Sequence, residues 1–197
     1  MVSILVVCTG NVCRSPIAEG MVRAALERRL PGGAPEVSSA GTIGWEGSGA
    51  MPESVEAAAE RGIDIAGHVA RPLDPSMLDV ADLIVCMAQE HREEIERDHP
   101  AAAPRSFTLK ELVRELEALP PTSGDLVRRV EEADELRRNG FVGNPADEDI
   151  SDPLGLPLDT YRAVAWELDA WCERLVTGLF GPLPRSNSFP LIARAQD

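Results

Sequence analysis

Between Val6 and Gly20 the sequence reads VVCTGNVCRSPIAEG, and several residue types in this short run could carry chemistry together. Cys8 offers a sulfur nucleophile. Arg14 follows after five residues, in C-T-G-N-V-C-R, and its planar fork can hold two oxygens of a phosphate at once. Gly10 and Asn11 suit a tight turn, the first by its conformational freedom and the second by its tolerance of a left-handed backbone. The N–H groups of such a turn, running into a helix N-terminus, form a cradle for an anion. A cysteine at the base of that cradle is favoured as its thiolate, and the Ser15 hydroxyl can hydrogen-bond the sulfur. Thr9, Val12 and Cys13 complete the loop. A thiolate facing a bound phosphoryl group, with Arg14 and the loop amides on its oxygens, is arranged for phosphoryl transfer. A plainer reading makes Cys8 and Cys13 apolar filler and Arg14 a solvated residue. The apolar strand before the loop and the Ser15-Pro16 helix start after it favour the chemical one. No G-x-x-x-x-G-K-[ST] nucleotide loop is present, and the C-x4-C pair has no second pair to complete a zinc site.

Displacing a leaving oxygen also needs a proton donor. The run DISDPLG supplies one in Asp152, held in a turn stiffened by Pro153 far along the chain. A carboxyl beside the anion and partly desolvated is suited to that task.

Positioning these residues requires a regular frame. Ser3–Val7 is a short continuous apolar run, the mark of a strand buried on both faces. Ser15 is placed as N-cap and Pro16 as first residue of a helix that ends near Leu30. Glu36–Ala40 reads as a second strand, entering the glycine-rich loop GTIGWEGSGAMP, and Pro52–Arg61 as a helix. Asp82–Met87 is a third strand with a helix at Gln89–Asp98 behind it, and RSFTL is a weaker fourth strand. Helices are expected at Lys110–Leu119, Asp125–Arg138 and Leu158–Thr177. This alternation predicts an α/β fold: a four-stranded parallel sheet with helices on both faces, with its site at the carboxyl ends of the strands. The chain divides into one domain at 1–178, carrying a charged helical insertion near 110–149, and a proline-containing tail at 179–197. The charged segments read as a solvated pair of helices, with a partner-docking surface as the sharper alternative.

Bulk composition excludes several classes. Of the 197 residues 44% are hydrophobic and 26% charged, as in a soluble globular protein. Lys and Arg number 19 against 33 Asp and Glu, a net charge of −14 that repels nucleic acid and anionic membrane. No stretch approaches the roughly 20 apolar residues of a membrane span, and the opening residues lack the basic flank of a signal segment. The four cysteines are scattered, which suits a reducing cytoplasm. Cys86 and Cys172 read as core, the latter among Trp166, Trp171 and Leu175. His91 and His99 read as solvated.

VCTGNVCRSPIAEG resembles the phosphate-binding loop of the low-molecular-weight protein tyrosine phosphatase family, and DISDPLG its late general-acid loop. SSAGT, RGIDIAGHVAR and DLIVCM extend the resemblance in order from about Ser3 to Gly178. It implies a flavodoxin-like three-layer sandwich and hydrolysis of phosphotyrosine on proteins through a cysteinyl-phosphate intermediate. Cys8 is then the nucleophile, Arg14 the phosphate clamp, Ser15 the donor to the thiolate and Asp152 the general acid. Asn11 shapes the loop and His68 supports it. Cys13 matches the family's second loop thiol, implying a reversible disulfide with Cys8; tight packing under the loop is the alternative. No metal or organic cofactor is required, and the expected partners are phosphorylated proteins or peptides, with inorganic phosphate or other oxyanions binding in the loop.

Substrate choice turns on the rim. Family members acting on phosphotyrosine tend to carry a branched apolar residue between the loop Asn and the second Cys, and those acting on phosphoarginine tend to carry threonine. Val12 has the shape of threonine without its hydroxyl, giving a ring an apolar wall and no bond to a guanidinium. Trp45 is placed to flank the ring. Leu154 stands after Asp-Pro where tyrosine-specific relatives often carry aromatics. Protein-arginine phosphatase is the alternative, and a thioredoxin-coupled arsenate reductase a weaker one, since its relay needs two further neighbouring thiols.

Overall fold

The computed structural model describes residues 2–121, 125–141 and 145–183. Residues 122–124 and 142–144, within the stretch expected as an insertion, and those from 184 onward, within the expected tail, lie outside them.

The first strand, β1 (Ser3–Cys8), is buried along nearly all its length and occupies the middle of the sheet. It leads through the loop into α1 (Arg14–Arg29) and β2 (Glu36–Gly41). Next come α2 (Pro52–Ala59), α3 (Pro75–Val80), β3 (Leu83–Cys86) and α4 (Gln89–Asp98). A 3-10 turn (Pro100–Arg105) precedes β4 (Ser106–Thr108), followed by α5 (Leu109–Ala118), α6 (Leu126–Arg138) and α7 (Leu158–Phe180). The four strands pair in parallel in the order β2-β1-β3-β4. This is the expected sheet. Because the chain steps from β1 to β2 on one side and to β3 on the other, its strand order reverses at the carboxyl end of β1, where ligands bind in sheets of this kind.

Alternation along β1 divides the core. Ile4, Val6 and Cys8 face the layer of α1, α5 and α7, while Leu5 and Val7 face that of α3 and α4. Register sets Cys8 opposite Gly41 and Val7 opposite Cys86. Cys86 and Cys172 are both buried, in opposite layers, and their thiols are pushed up by desolvation. Trp166, by contrast, is 66% exposed and takes no part in the core around Cys172.

Several local expectations are corrected. α2 ends at Ala59, short of Arg61, and α3 was not anticipated; its cap is Asp74, which accepts from the Ser76 amide at 2.8 Å. α7 continues to Phe180. α1 begins at Arg14 with Cys13 in the cap position and no side-chain cap, so Ser15 is not its N-cap. Pro16 falls within the first turn, where its missing N–H forfeits no helical bond.

α5 and α6 are not a solvated pair. Leu109, Leu112, Val113 and Leu116 join the main core, and Lys110, Glu115, Arg129 and Asp134 are buried with them. Arg129 is held by the carbonyls of Leu116, Pro120 and Gly178. Burial, with the Glu111 charge adding to it, pushes the Glu115 carboxyl up to about 8. The charged pattern of this stretch hides an interior polar network.

Candidate active site

The loop between β1 and α1 is built by engaging its carbonyls from outside. The amides of Thr42, Ile43, Gly44 and Trp45 donate to the carbonyls of Cys8, Thr9 and Gly10 at 2.9–3.1 Å, and the Met51 amide donates to Val12 O at 2.9 Å. The Asn11 carbonyl lies 2.8 Å from His68 Nε2, which donates to it. With its carbonyls held outward, the turn presents its N–H edge inward, ahead of the free N–H groups of the first turn of α1. Gly41 makes this close approach possible. A Cβ there would stand 2.5 Å from Thr9 O, 2.9 Å from Asn11 N and 3.0 Å from the Gly10 carbonyl carbon, all backbone. Gly41→Ala is therefore expected to displace the loop, at a cost of about 2 kcal/mol in unfolding free energy. Inorganic phosphate affinity should fall with it; calorimetric titration and denaturant melts of the variant check both.

Asn11 is the pivot. It is the single non-glycine residue with positive φ among the described residues (φ 58°) and is fully buried. Its Nδ2 donates to Ser15 Oγ at 2.9 Å and Ser39 Oγ at 2.8 Å, while its Oδ1 accepts from the Arg71 amide at 3.0 Å. Ser39 in turn donates to Glu19 at 2.6 Å. Since Ser15 Oγ accepts from Asn11, its own proton is free for Cys8 Sγ, 3.0 Å away. The Asn11 amide also donates to that sulfur at 3.3 Å. Two donors converge on the Cys8 sulfur, a pattern that suits an anion.

Arg14 is buried beside it, and its Nη1 donates to Ile150 O at 3.1 Å. Its Nη2 reaches Thr9 Oγ1 at 3.3 Å and pairs with Asp152 at 2.6 Å. Asp152 remains 42% exposed, and its other oxygen accepts from the Leu154 amide at 3.1 Å. The segment leading to it is pinned from several directions. Asp147 receives Lys110 at 2.8 Å, Glu148 receives Thr108 at 2.9 Å and Arg114 at 2.7 Å, and Asp149 accepts from the Gln89 amide at 2.8 Å. The Ile150 amide bonds Met87 O at 2.8 Å. The charges of α5 thus hold the Asp152 loop, a role that no local pattern announces.

A narrow cleft of about 60 Å³ opens over the loop, with Cys8, Arg14 and Val12 below, Trp45 and Leu154 as walls and Asp152 at the rim. Trp45 lies over Gly10, whose Cβ would meet the indole at 3.7 Å. A larger cleft of about 470 Å³, behind the loop against His68 and Arg71, does not reach Cys8. Cys13 is packed beneath the loop, 3.9 Å from Tyr161 Oη. Burial pushes its thiol up to about 11 and the Tyr161 phenol up to about 12. No group of three or more potential metal ligands occurs among the described residues.

His91 departs from expectation. It is 1% exposed, not solvated, and its Nε2 lies 2.9 Å from Thr9 Oγ1 in the loop between β1 and α1. Burial, then the Arg14 charge, pushes it down to about 4, so it is neutral at physiological pH. A histidine in a helix that is otherwise strongly charged gave no signal of burial. The third residue of α4 nevertheless stands at the carboxyl end of β3, next to the site. His99 is half-buried at the end of the same helix.

A parallel sheet with a cysteine–arginine anion loop at the reversal of its strand order defines the class of cysteine-based phosphate-binding enzymes. Within it, residues 3–125 match the family model described as low molecular weight phosphotyrosine protein phosphatase, and the chain belongs to that family. It is 34% identical over 176 residues to the protein-arginine-phosphatase of Geobacillus stearothermophilus, covering 89% of this chain and 95% of that one. It is 43% identical over 110 residues to the "Probable low molecular weight protein-tyrosine-phosphatase EpsP" of Ralstonia solanacearum, covering 56% and 72%. The crystal structure of a low molecular weight protein tyrosine phosphatase from T. tengcongensis superposes with a TM-score of 0.69 at 34% identity, over 91% of this chain and all of that one.

Proposed function

We propose that this protein is a cysteine-dependent protein phosphatase that acts on phosphotyrosine. The observation that carries the reading is the convergence of two hydrogen-bond donors on Cys8 Sγ at the base of a cleft that Arg14 also lines from below, with Asp152 at its rim. Phosphate oxygens bind Arg14 and the loop amides, taking the place on Arg14 now held by Asp152. Cys8 attacks phosphorus in line, forming the S–P bond as the P–O bond to the leaving group breaks, and Asp152 delivers its proton to that oxygen. The resulting carboxylate then takes a proton from water, which attacks the cysteinyl phosphate; the sulfur leaves as thiolate and inorganic phosphate departs. Every step uses side chains of this chain.

Val12, buried beneath the cleft, presents an apolar wall without a hydroxyl, and Trp45 and Leu154 add apolar surface for a ring. Those features favour phosphotyrosine. The near full-length likeness to a protein named for phosphoarginine favours the second reading. Phosphate release from matched phosphotyrosine and phosphoarginine peptides, metal-free and in fresh reductant, decides. A clear preference for phosphotyrosine is expected, whereas preference for phosphoarginine moves the substrate assignment and leaves the Cys8 chemistry standing.

The same reading gives Cys13 the part of a thiol able to form a disulfide with Cys8 under oxidation, with loss of turnover. Four free, buried cysteines fit a reducing compartment, and we place the protein in the cytoplasm. A net charge of −14 disfavours nucleic acid as partner, and no described helix is long and apolar enough to cross a membrane.

A further inference from the structure

Thr9 Oγ1 sits between two nitrogen-bearing side chains, Arg14 and His91. Arg14 Nη2, 3.3 Å away, can only donate. His91 Nε2, 2.9 Å away, can donate or accept according to which ring nitrogen carries the proton. The surroundings of the ring decide between these. Two acceptors stand near Nε2, Thr9 Oγ1 and a Glu90 carboxylate oxygen at 3.4 Å, whereas buried Nδ1 has no partner. A proton on Nδ1 would be a buried donor with nothing to receive it, the costlier kind of orphan; a bare Nδ1 lone pair is more tolerable. With the proton on Nε2, both His91 and Arg14 donate to Thr9 Oγ1 and fill its two lone pairs. The Thr9 hydroxyl proton must then take a third direction. Thr9 lines the cleft above Cys8, so that direction is open to an oxyanion seated there.

We infer that His91 is a positioning residue of the phosphate site: as the Nε2–H tautomer it orients the Thr9 hydroxyl so that its proton is donated to the bound oxyanion, alongside Arg14. The inference rests on the phosphatase reading above only for the identity of that anion. The ring is suited to the task because it stays uncharged. Burial and Arg14 press against its protonation, outweighing Asp149 and Asp152, which favour it. The site thereby gains a hydroxyl donor that neither His91 nor Thr9 would hold in place alone.

The tautomer is testable in the unaltered protein. Long-range nitrogen–proton NMR of the histidine rings at neutral pH should show His91 protonated at Nε2 and bare at Nδ1; a ring protonated at Nδ1 overturns the inference. The functional arm uses inorganic phosphate as probe, with KM and kcat on a phosphopeptide measured beside it. His91→Leu should weaken phosphate binding about tenfold and raise KM more than it lowers kcat. His91→Gln, whose amide N–H reaches the same place, should recover most of that loss. Combining His91→Leu with Thr9→Val should add little to either change alone, because both remove one oriented donor. A purely structural His91 would lower stability without this dependence on Thr9. Full additivity of the two changes, or no rescue by Gln, overturns the proposal, and where the Leu variant fails to fold the tautomer measurement on the unaltered protein decides it. If the unaltered protein neither binds phosphate nor hydrolyses a phosphopeptide, the phosphatase reading fails instead, and the tautomer result is unaffected.

Discussion

Cys8→Ser is expected to show no measurable turnover of any phosphopeptide while still binding inorganic phosphate. Serine keeps the shape of the loop, since Asn11 and Ser15 can both hydrogen-bond an oxygen in place of the sulfur that they now address at 3.3 and 3.0 Å. What it removes is the polarisable sulfur that attacks phosphorus in the proposed mechanism. A hydroxyl there would need a base to take its proton, and Asp152, the nearest carboxylate in the cleft, is bound to Arg14 and committed to the leaving group. In the proposed site the anion is held by the loop amides and the Arg14 guanidinium, none of which the substitution changes. Calorimetry should therefore give a phosphate affinity within a few-fold of the unaltered protein, beside phosphate release indistinguishable from the uncatalysed rate. Retention of more than a small fraction of the rate would mean that the sulfur is not the nucleophile. Loss of both binding and turnover would mean that the sulfur is needed to shape the loop.

Asp152→Asn separates the proton transfer proposed for this carboxylate from its pairing with Arg14. An amide cannot deliver a proton to the leaving oxygen or take one from water, so turnover on a phosphotyrosine peptide should fall by about 10²–10⁴. Phosphate binding should move the other way. Asp152 occupies Arg14 Nη2 at 2.6 Å, and an anion binding there must displace it. Removing that competitor is expected to tighten inorganic phosphate binding a few-fold, a modest gain because the carboxylate is 42% exposed and already well solvated. The loss of rate should be smaller for an aryl ester whose leaving group departs without a proton. If Asp152→Asn kept full rates on a phosphotyrosine peptide, another group would be the acid. If it weakened phosphate binding, the Arg14–Asp152 pair would be holding the clamp in place instead of competing for it.

The two charged stretches of the chain show how polar sequence can mislead. Lys110–Arg138 has the alternating signs of a solvated helical pair, yet Lys110, Glu115, Arg129 and Asp134 are buried. Lys110 and Arg114 secure the segment that carries Asp152. His91 lies in QEHREEIERD, where nearly every neighbour is charged, and is the most deeply buried of the three histidines. In both cases the partner that makes burial tolerable is remote in sequence. Glu148 for Thr108 and Arg114, and Thr9 for His91, could not be paired from periodicity, which reports only the local face of a helix.

By itself the sequence determined the parallel four-stranded frame and the loop from Cys8 to Ser15, and it singled out Asp152, which the structure sets against Arg14. These depend on local physics: a continuous apolar run makes a buried strand, a strand of that kind places its following turn at the carboxyl edge, and a turn entering a helix exposes N–H groups to an anion. Only the tertiary structure decided how the loop's carbonyls are held outward by residues 42–51, why Ser15 turns its hydroxyl to the sulfur instead of capping α1, and that His91 stands behind Thr9. Those outcomes depend on which polar groups meet across the sheet once it closes. A hydrogen bond is valuable there because both partners have left water, and burial is a property of the assembled fold, absent from any single stretch of chain.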